Sequence, residues 1–262
     1  MATYLDRILA EHRAAADTDV RSLDELIEAA LLEPPARGFT AAVRDASVRE
    51  LAVIAEVKRR SPSKGDLAPD LDPAETARAY VEGGSACLSV LTDERWFGGS
   101  AADLQAARST VAVPVLRKDF TIDPRDVCDA RLMGADAVLL IVAALDDDEL
   151  THLHALAIEL GLDVLVEVHD EPELERAVAV GATLIGVNQR DLVTFEVDTE
   201  RAVRVGAAMP AEIIRVAESG IRGPDDAARL ADAGFHAVLV GESLVVSGDR
   251  SGAVTALRVA RR

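Results

Sequence analysis

The segment Ile54-Ala-Glu56-Val-Lys58-Arg-Arg-Ser61-Pro-Ser63-Lys64-Gly65 sets an acid and a base two residues apart at the end of an apolar run, just before a basic Ser/Pro/Gly loop. Alternate residues of a strand share a face, so Glu56 and Lys58 point the same way. Burying two opposite charges is expensive before their pairing is counted. A strand that ends in them therefore reads as one wall of a site; the plainer reading is a surface strand with an ordinary ion pair. Polar endings recur along the chain. Arg117, Lys118 and Asp119 close one apolar run, Glu167 and His169 another, Asn188 and Arg190 a third, Glu218-Ser219-Gly220 a fourth and Gly241-Glu242-Ser243 a fifth. If Lys58, Lys118, Glu56 and Glu167 face one cavity, they supply general acids and bases together. A lysine near other cations or partly desolvated has a depressed pKa and donates a proton at neutral pH. A carboxylate in an apolar, acid-rich pocket has a raised one and serves as base or acid. The alternative is a salt-bridged layer that closes one end of the molecule.

The two last endings, Ser219-Gly220 and Gly241-Glu242-Ser243, place small residues where backbone N–H groups approach a ligand closely. Together with Arg59, Arg60, Lys64, Arg117 and the two lysines they suggest an anionic, phosphate-bearing substrate. His169 is read as ordering a helix start, with proton shuttling as the alternative. His12, His152, His154 and His236 read as structural, and His152 and His154, two apart on a helix, cannot share a metal face. The pair Trp96-Phe97 either lines a pocket or caps a rim. Cys87 and Cys128 have no metal-type spacing and read as small apolar packing residues of a reduced protein.

The elements that must carry these residues alternate regularly. Eight β-type runs, 53–58, 86–91, 113–118, 137–142, 163–168, 184–188, 213–218 and 237–241, are mostly Val/Ile/Leu-rich and nearly unbroken, as strands buried on both faces are. Helical segments separate them, with Asp-Pro starts at Asp72 and Asp123, Glu171-Pro172 and Gly223-Pro224 starts, an acidic first turn after Asp146, and glycine returns at Gly134, Gly181 and Gly234. Strand, crossover and parallel strand repeated eight times read as an α/β chain closing into a (β/α)8 TIM barrel, with chemistry at the carboxyl ends of the strands. An open doubly wound sheet is the runner-up; it needs a G-x-G-x-x-G turn after its first strand, and none is there. The first fifty residues differ. A stripe of Tyr4, Leu5, Ile8 and Leu9, a capping box Ser22-Leu-Asp-Glu25, a Pro34-Pro35 stop and a segment 39–46 read as an N-terminal helical extension packed on the barrel. The expected organisation is one domain, 1–262, with 1–50 as that extension.

The chain has 262 residues, 49% of them hydrophobic, enough for one large barrel core. Its 46 acids against 28 bases give a formal net charge of −18, which argues against nucleic acid or an anionic membrane as main partner. No apolar run approaches the roughly 18 residues of a membrane span, and the charged start lacks the apolar region of a signal peptide. A cytoplasmic location is expected.

Taken together, the first-strand segment, Val115-Leu-Arg-Lys-Asp-Phe120, Leu165-Val-Glu-Val-His169, Gly186-Val-Asn-Gln-Arg-Asp-Leu192, Ala217-Glu-Ser-Gly220 and Val240-Gly-Glu-Ser-Leu244 closely resemble the indole-3-glycerol phosphate synthases. The resemblance runs from the helical extension to the last strand. It implies a cofactor-free and metal-free lyase of tryptophan biosynthesis. Such an enzyme converts 1-(2-carboxyphenylamino)-1-deoxyribulose 5-phosphate to indole-3-glycerol phosphate, carbon dioxide and water, as a monomer or weak homodimer. By the same resemblance Lys118 is the general acid of ring closure and Lys58 binds the substrate carboxylate and donates in dehydration. Glu167 and Glu56 take base and electrostatic roles, and Asn188 positions the substrate. Ser61, Ser219, Gly220 and Gly241 lie on the phosphate side with Glu218, Glu242 and Ser243 beside them, Arg190 supports the site, and Phe120 walls the anthranilate ring. Two other readings stand beside it. Phosphoribosylanthranilate isomerase uses a cysteine at the first strand's end, where this chain has Glu56 and Lys58. A non-catalytic metabolite-binding barrel should have lost Lys118 or Glu167, and both are present.

Overall fold

The computed structural model describes residues 3–62, 64–191 and 193–261; Ser63 and Leu192 of the motifs above lie outside the described residues. Among the described residues ten strands form: β1 (Ala52–Val57), β2 (Arg60–Ser61), β3 (Gly65–Asp66), β4 (Cys87–Leu91), β5 (Val115–Lys118), β6 (Ala137–Ile141), β7 (Asp163–Val168), β8 (Leu184–Asn188), β9 (Ile214–Glu218) and β10 (Ala237–Val240). Eight of them close into a barrel in the order β1-β4-β5-β6-β7-β8-β9-β10, and β10 returns to β1. The closing seam is parallel, with Ala52 opposite Ala237 and Ala55 opposite Val240. The expected runs match these strands to within about two residues at each end. Their Val/Ile/Leu content follows from burial on both faces: helices cover the outside and other strands' side chains fill the inside. The remaining pair, β2 and β3, is an unexpected feature. The basic loop after β1 folds back on itself, Arg60 opposite Asp66 and Ser61 opposite Gly65, with Gly65 at φ 71°.

The helix starts behave as their chemistry requires. The Asp72 carboxylate accepts from the Glu75 amide at 2.8 Å, and proline opens helix Pro73–Glu82. Asp123 caps helix Pro124–Leu132 and Asp146 caps helix Asp147–Glu159, each in a reciprocal capping box. Gly134, Gly181 and Gly234, at φ 87°, 86° and 86°, make the left-handed turn from helix back to strand. Helices Ala101–Thr110 and Arg201–Ala208 complete the outer layer.

The N-terminal segment forms α1 (Tyr4–Thr18), α2 (Leu23–Leu31) and α3 (Phe39–Ala46). Phe39 and Val43 of α3 are fully buried against the barrel core. α1 crosses the carboxyl-terminal end of the barrel and is fastened at several points. Arg13 binds Glu149 at 2.7 Å, Arg125 donates to the carbonyls of Ala16 and Asp19 at 3.1 and 2.5 Å, and Arg21 binds Asp129 at 2.7 Å. Among the described residues no helix is long and apolar enough to cross a membrane.

Candidate active site

The carboxyl ends of the strands open into a cavity roofed by α1. β1 delivers Glu56, with Lys58 just beyond it; their side chains meet at 2.6 Å, so the shared face read from the pleat is real. β5 delivers Lys118, β7 Glu167 and β9 Glu218. Lys118 Nζ lies 3.1 Å from Glu167 and 3.6 Å from Glu218. β8 adds Asn188, whose Nδ2 donates to Glu167 Oε1 at 3.0 Å. Glu56, Lys118, Glu167 and Glu218 thus arrive from alternate strands of the ring. They fill one of the interior layers that a barrel of this type normally packs with branched apolar side chains. Leu139, Ile141 and Leu239 floor the cavity beside them.

Backbone geometry admits these charges. A Cβ on Gly186, the β8 partner of Glu167, would collide with the Glu218 carboxylate, and one on Gly241 would collide with Glu56. Glycine at those two positions makes room for the acids.

The electrostatics differ from expectation. Burial opposes the charge on Lys118, yet Glu167, Glu218 and Glu56 outweigh it and hold the ammonium above the ordinary lysine range, not below it. Nearby carboxylates, not neighbouring cations, set its state. Burial likewise pushes Glu167 up, but Lys118 and His169 overrule it and keep this carboxylate below its usual value. The acid that is raised is Glu218, pushed up to about 8 by burial and by the neighbouring Glu167 charge. At neutral pH the layer therefore holds Lys118 charged, Glu167 ionised and Glu218 protonated. Glu218 accordingly sits inside the acid–base cluster, not with the glycine turn that follows it in sequence.

The rim lies above this layer. Ser61 is buried and its hydroxyl has no hydrogen-bond partner among the described residues. Ser219 and Gly220 turn at φ 66° and 72°. Gly241 precedes the short helix Glu242–Val245. All line the cavity with Lys58, Phe120 and Arg190. Ser243 does not: its hydroxyl donates to the Ile221 carbonyl at 3.0 Å. The Glu242 carboxylate stands 3.8 Å from Arg190 and 3.9 Å from Lys64.

Much of the expected cationic cluster is engaged elsewhere. Arg59 pairs with Asp103, Arg60 donates to the carbonyls of Glu94 and Arg95, and Arg117 binds Asp119 at 3.0 Å and reaches the Asp126 carbonyl. These side chains fasten loops and do not line the cavity, whose lining cations among the described residues are Lys58, Lys118 and Arg190. The aromatic pair divides. Phe97 lines the cavity, whereas Trp96 packs edge-on to Tyr4 at 4.9 Å and donates to Glu11. Cys87 and Cys128 are buried free thiols. His12 pairs with Asp93 at 3.0 Å; with Asp119 this trio is a candidate cation site by spacing, but Asp93 also caps Trp96 and Asp119 is held by Arg117 and Thr92.

The cavity also has walls that the strand endings do not reveal. Tyr4, Leu5 and Ile8 of α1 line it, as does Phe195, which stacks edge-on to Tyr4 at 5.1 Å. The apolar stripe of α1 was visible in the sequence; which half of it faces a cavity was not.

Comparison with known proteins gives the same answer as the residues. The family model described as indole-3-glycerol phosphate synthase matches residues 5–257. An indole-3-glycerol phosphate synthase of Nocardioides sp. is 61% identical over 203 residues, 78% of each chain. That of Mycolicibacterium smegmatis is 51% identical over 258 residues, 98% of this chain and 94% of its own. Among solved structures, a thiamine phosphate pyrophosphorylase from Pyrococcus furiosus superposes with TM-score 0.60 at 19% identity, covering 79% of this chain and 93% of its own. An N-acetylmannosamine-6-phosphate 2-epimerase from Clostridium perfringens does so with TM-score 0.60 at 14% identity, over 76% of this chain and 90% of its own. At those identities they speak for the barrel alone. The charged barrel layer, the first-strand signature and relatives matched over nearly the whole chain lead to one conclusion: this chain belongs to the indole-3-glycerol phosphate synthases, carboxy-lyases of tryptophan biosynthesis.

Proposed function

We propose a division of labour among the cavity residues for the indole-forming reaction. The substrate's phosphate sits at the rim, against the Ser61 hydroxyl and the backbone N–H groups around Gly220 and Gly241. Its aromatic ring lies on the apolar wall that includes Phe120. Small or glycine residues let the backbone approach the phosphate, and an unpartnered buried hydroxyl is a donor awaiting an acceptor. Glu242 and Ser243 contribute through their backbone, since the one side chain is an anion and the other is committed to Ile221.

The ring carbon bearing the carboxylate attacks the sugar carbonyl carbon, and Lys118 gives its proton to the oxygen that becomes a hydroxyl. An ammonium held charged in the resting site neutralises the developing alkoxide as it gives up its proton. The bond to the carboxylate then breaks, carbon dioxide leaves, and its electrons restore the aromatic ring. Lys58, placed to hold that carboxylate, protonates the departing hydroxyl, while Glu167 removes the proton from the adjacent sugar carbon. Asn188 orients Glu167, Glu56 orients Lys58, Arg190 supports the rim, and protonated Glu218 stands as a second proton reservoir against Lys118. Phosphate binding away from the reacting carbons supplies orientation.

The observation that carries this reading is the single interior layer in which Lys118 touches both Glu167 and Glu218. Supplying the carboxyphenylamino sugar phosphate and following indole fluorescence tests it. Lys118→Ala is expected to lower kcat by roughly 10²- to 10⁴-fold. A fully active Lys118→Ala protein would sink the assignment.

The remaining proposals rest on bulk properties. A net charge of −18 supports an enzyme without nucleic-acid or membrane partners, and two buried free thiols suit a cytoplasmic location. We read the chain as one domain, with residues 1–50 as an extension of the barrel, acting as a monomer or weak homodimer.

A further inference from the structure

One group in contact with the acid–base layer has no part in the scheme above. His169 follows β7 directly, and its imidazole stands behind Glu167. Its Nε2 lies 3.7 Å from Glu167 Oε1, the oxygen that also receives Asn188, while Glu167 Oε2 faces Lys118. On the other side Glu173 grips the histidine twice. One Glu173 oxygen takes both the His169 backbone N–H at 2.7 Å and Nδ1 at 3.0 Å. The Nε2 atom is buried and has no hydrogen-bond partner among the described residues. A neutral histidine with its proton on Nδ1 would leave a bare lone pair facing a carboxylate. An imidazolium would instead satisfy both anions at once.

We propose that His169, clamped by Glu173, is a positioning residue whose imidazolium fixes Glu167 as an oriented anion ready to accept the substrate proton. The inference rests on Glu167 being the base in the scheme above. The charged groups around the ring are consistent with it. Glu167 on β7 and Glu173 on helix Glu171–Ala179 favour the cation. Arg201 on helix Arg201–Ala208 opposes it but lies 3.6 Å from Asp191, which offsets its charge. Asp170, Glu171 and Arg204 line the outer cavity next to the ring. The balance holds His169 above the ordinary histidine value in spite of burial. His169 and Glu173 line that second cavity while Glu167 lines the first, so the pair reaches Glu167 from behind, away from the substrate.

The sign of the effect is fixed. Glu167 works only when ionised, so activity falls below its pKa. Without the cation behind it that pKa rises, and the acid limb of the kcat profile moves to higher pH. For H169Q the limb is expected to rise by about one pH unit, a roughly tenfold loss of kcat on the acid side, with KM within about twofold. E173Q should move the limb the same way by less. Nitrogen-detected NMR of the unsubstituted enzyme should find both His169 ring nitrogens protonated at pH 7, which decides the matter even if the variants fold poorly. A singly protonated His169 at that pH overturns the proposal. So does an unmoved acid limb in H169Q with kcat lowered uniformly or KM raised. E167Q separates the two levels. An active E167Q removes the base assignment itself, whereas an inactive E167Q beside an unshifted H169Q removes the role of His169 alone.

Discussion

Lys118 and Glu218 show how neighbours decide what a buried group can do. Depth alone would neutralise both. The Glu167 and Glu56 carboxylates keep the lysine charged, while burial and the neighbouring Glu167 charge make Glu218 retain its proton. This has a consequence for stability. Glu218 binds a proton up to about pH 8 in the native state, whereas in the unfolded chain it loses it near the ordinary carboxyl value. Between those limits the native state binds more protons than the unfolded one, so this residue makes stability fall as pH rises. Glu218→Gln, which mimics the neutral acid, should therefore gain in melting temperature relative to the unsubstituted protein as pH goes from about 5 to about 8. A difference that shrinks over that interval would contradict the assignment. The sequence shows that Glu56 and Lys58 share a face, because two residues on one strand obey a fixed period. It does not show that Glu218 belongs with Lys118. That contact joins β9 to β5, whereas the chain places Glu218 directly beside Ser219 and Gly220, which turn in the left-handed region at the rim.

At the scale of elements, the barrel strands are legible because each is a short unbroken run of Val, Ile and Leu, and four helix starts because Asp-Pro and its variants leave little conformational choice. Helix Arg201–Ala208 has no such mark, since Glu200 makes no side-chain cap to it. The antiparallel turn of β2 on β3 is equally silent, for two residues carry no periodicity. Arg59, Arg60 and Arg117 read as substrate-binding cations from their types, but Asp103, the Glu94 and Arg95 carbonyls and Asp119 engage them outside the cavity lining. α1 is the element with the most direct influence on the site. It contributes Tyr4, Leu5 and Ile8 to the cavity wall, and its ties to Glu149, Asp93 and Arg125 keep it across the mouth. A chain lacking residues 1–19 should retain the far-ultraviolet circular dichroism of a folded barrel. Its KM should rise by roughly tenfold, as about 1.4 kcal/mol of lost apolar contact implies. An unchanged KM would show that the helix is a bystander.

At the scale of the whole molecule, a net charge of −18 is spread over a compact barrel whose site binds an anion. Self-repulsion of that surface should be relieved by screening. Raising sodium chloride from about 0.01 to 0.3 M should raise the melting temperature, and a fall would mean that attractive ion pairs such as Arg13–Glu149 and Arg21–Asp129 dominate instead. The interior layer responds differently, because it is shielded from salt. A course of the barrel wall that most relatives of this architecture stack with hydrocarbon is here built of ions, and ions in oil are tolerated in matched sets. Deleting one leaves its counterpart stranded; deleting two together leaves none. Lys118→Met combined with Glu167→Gln should therefore unfold at a higher temperature than either change alone, while making no indole-3-glycerol phosphate. Durability has been surrendered at the mouth of the barrel so that reactivity has somewhere to live.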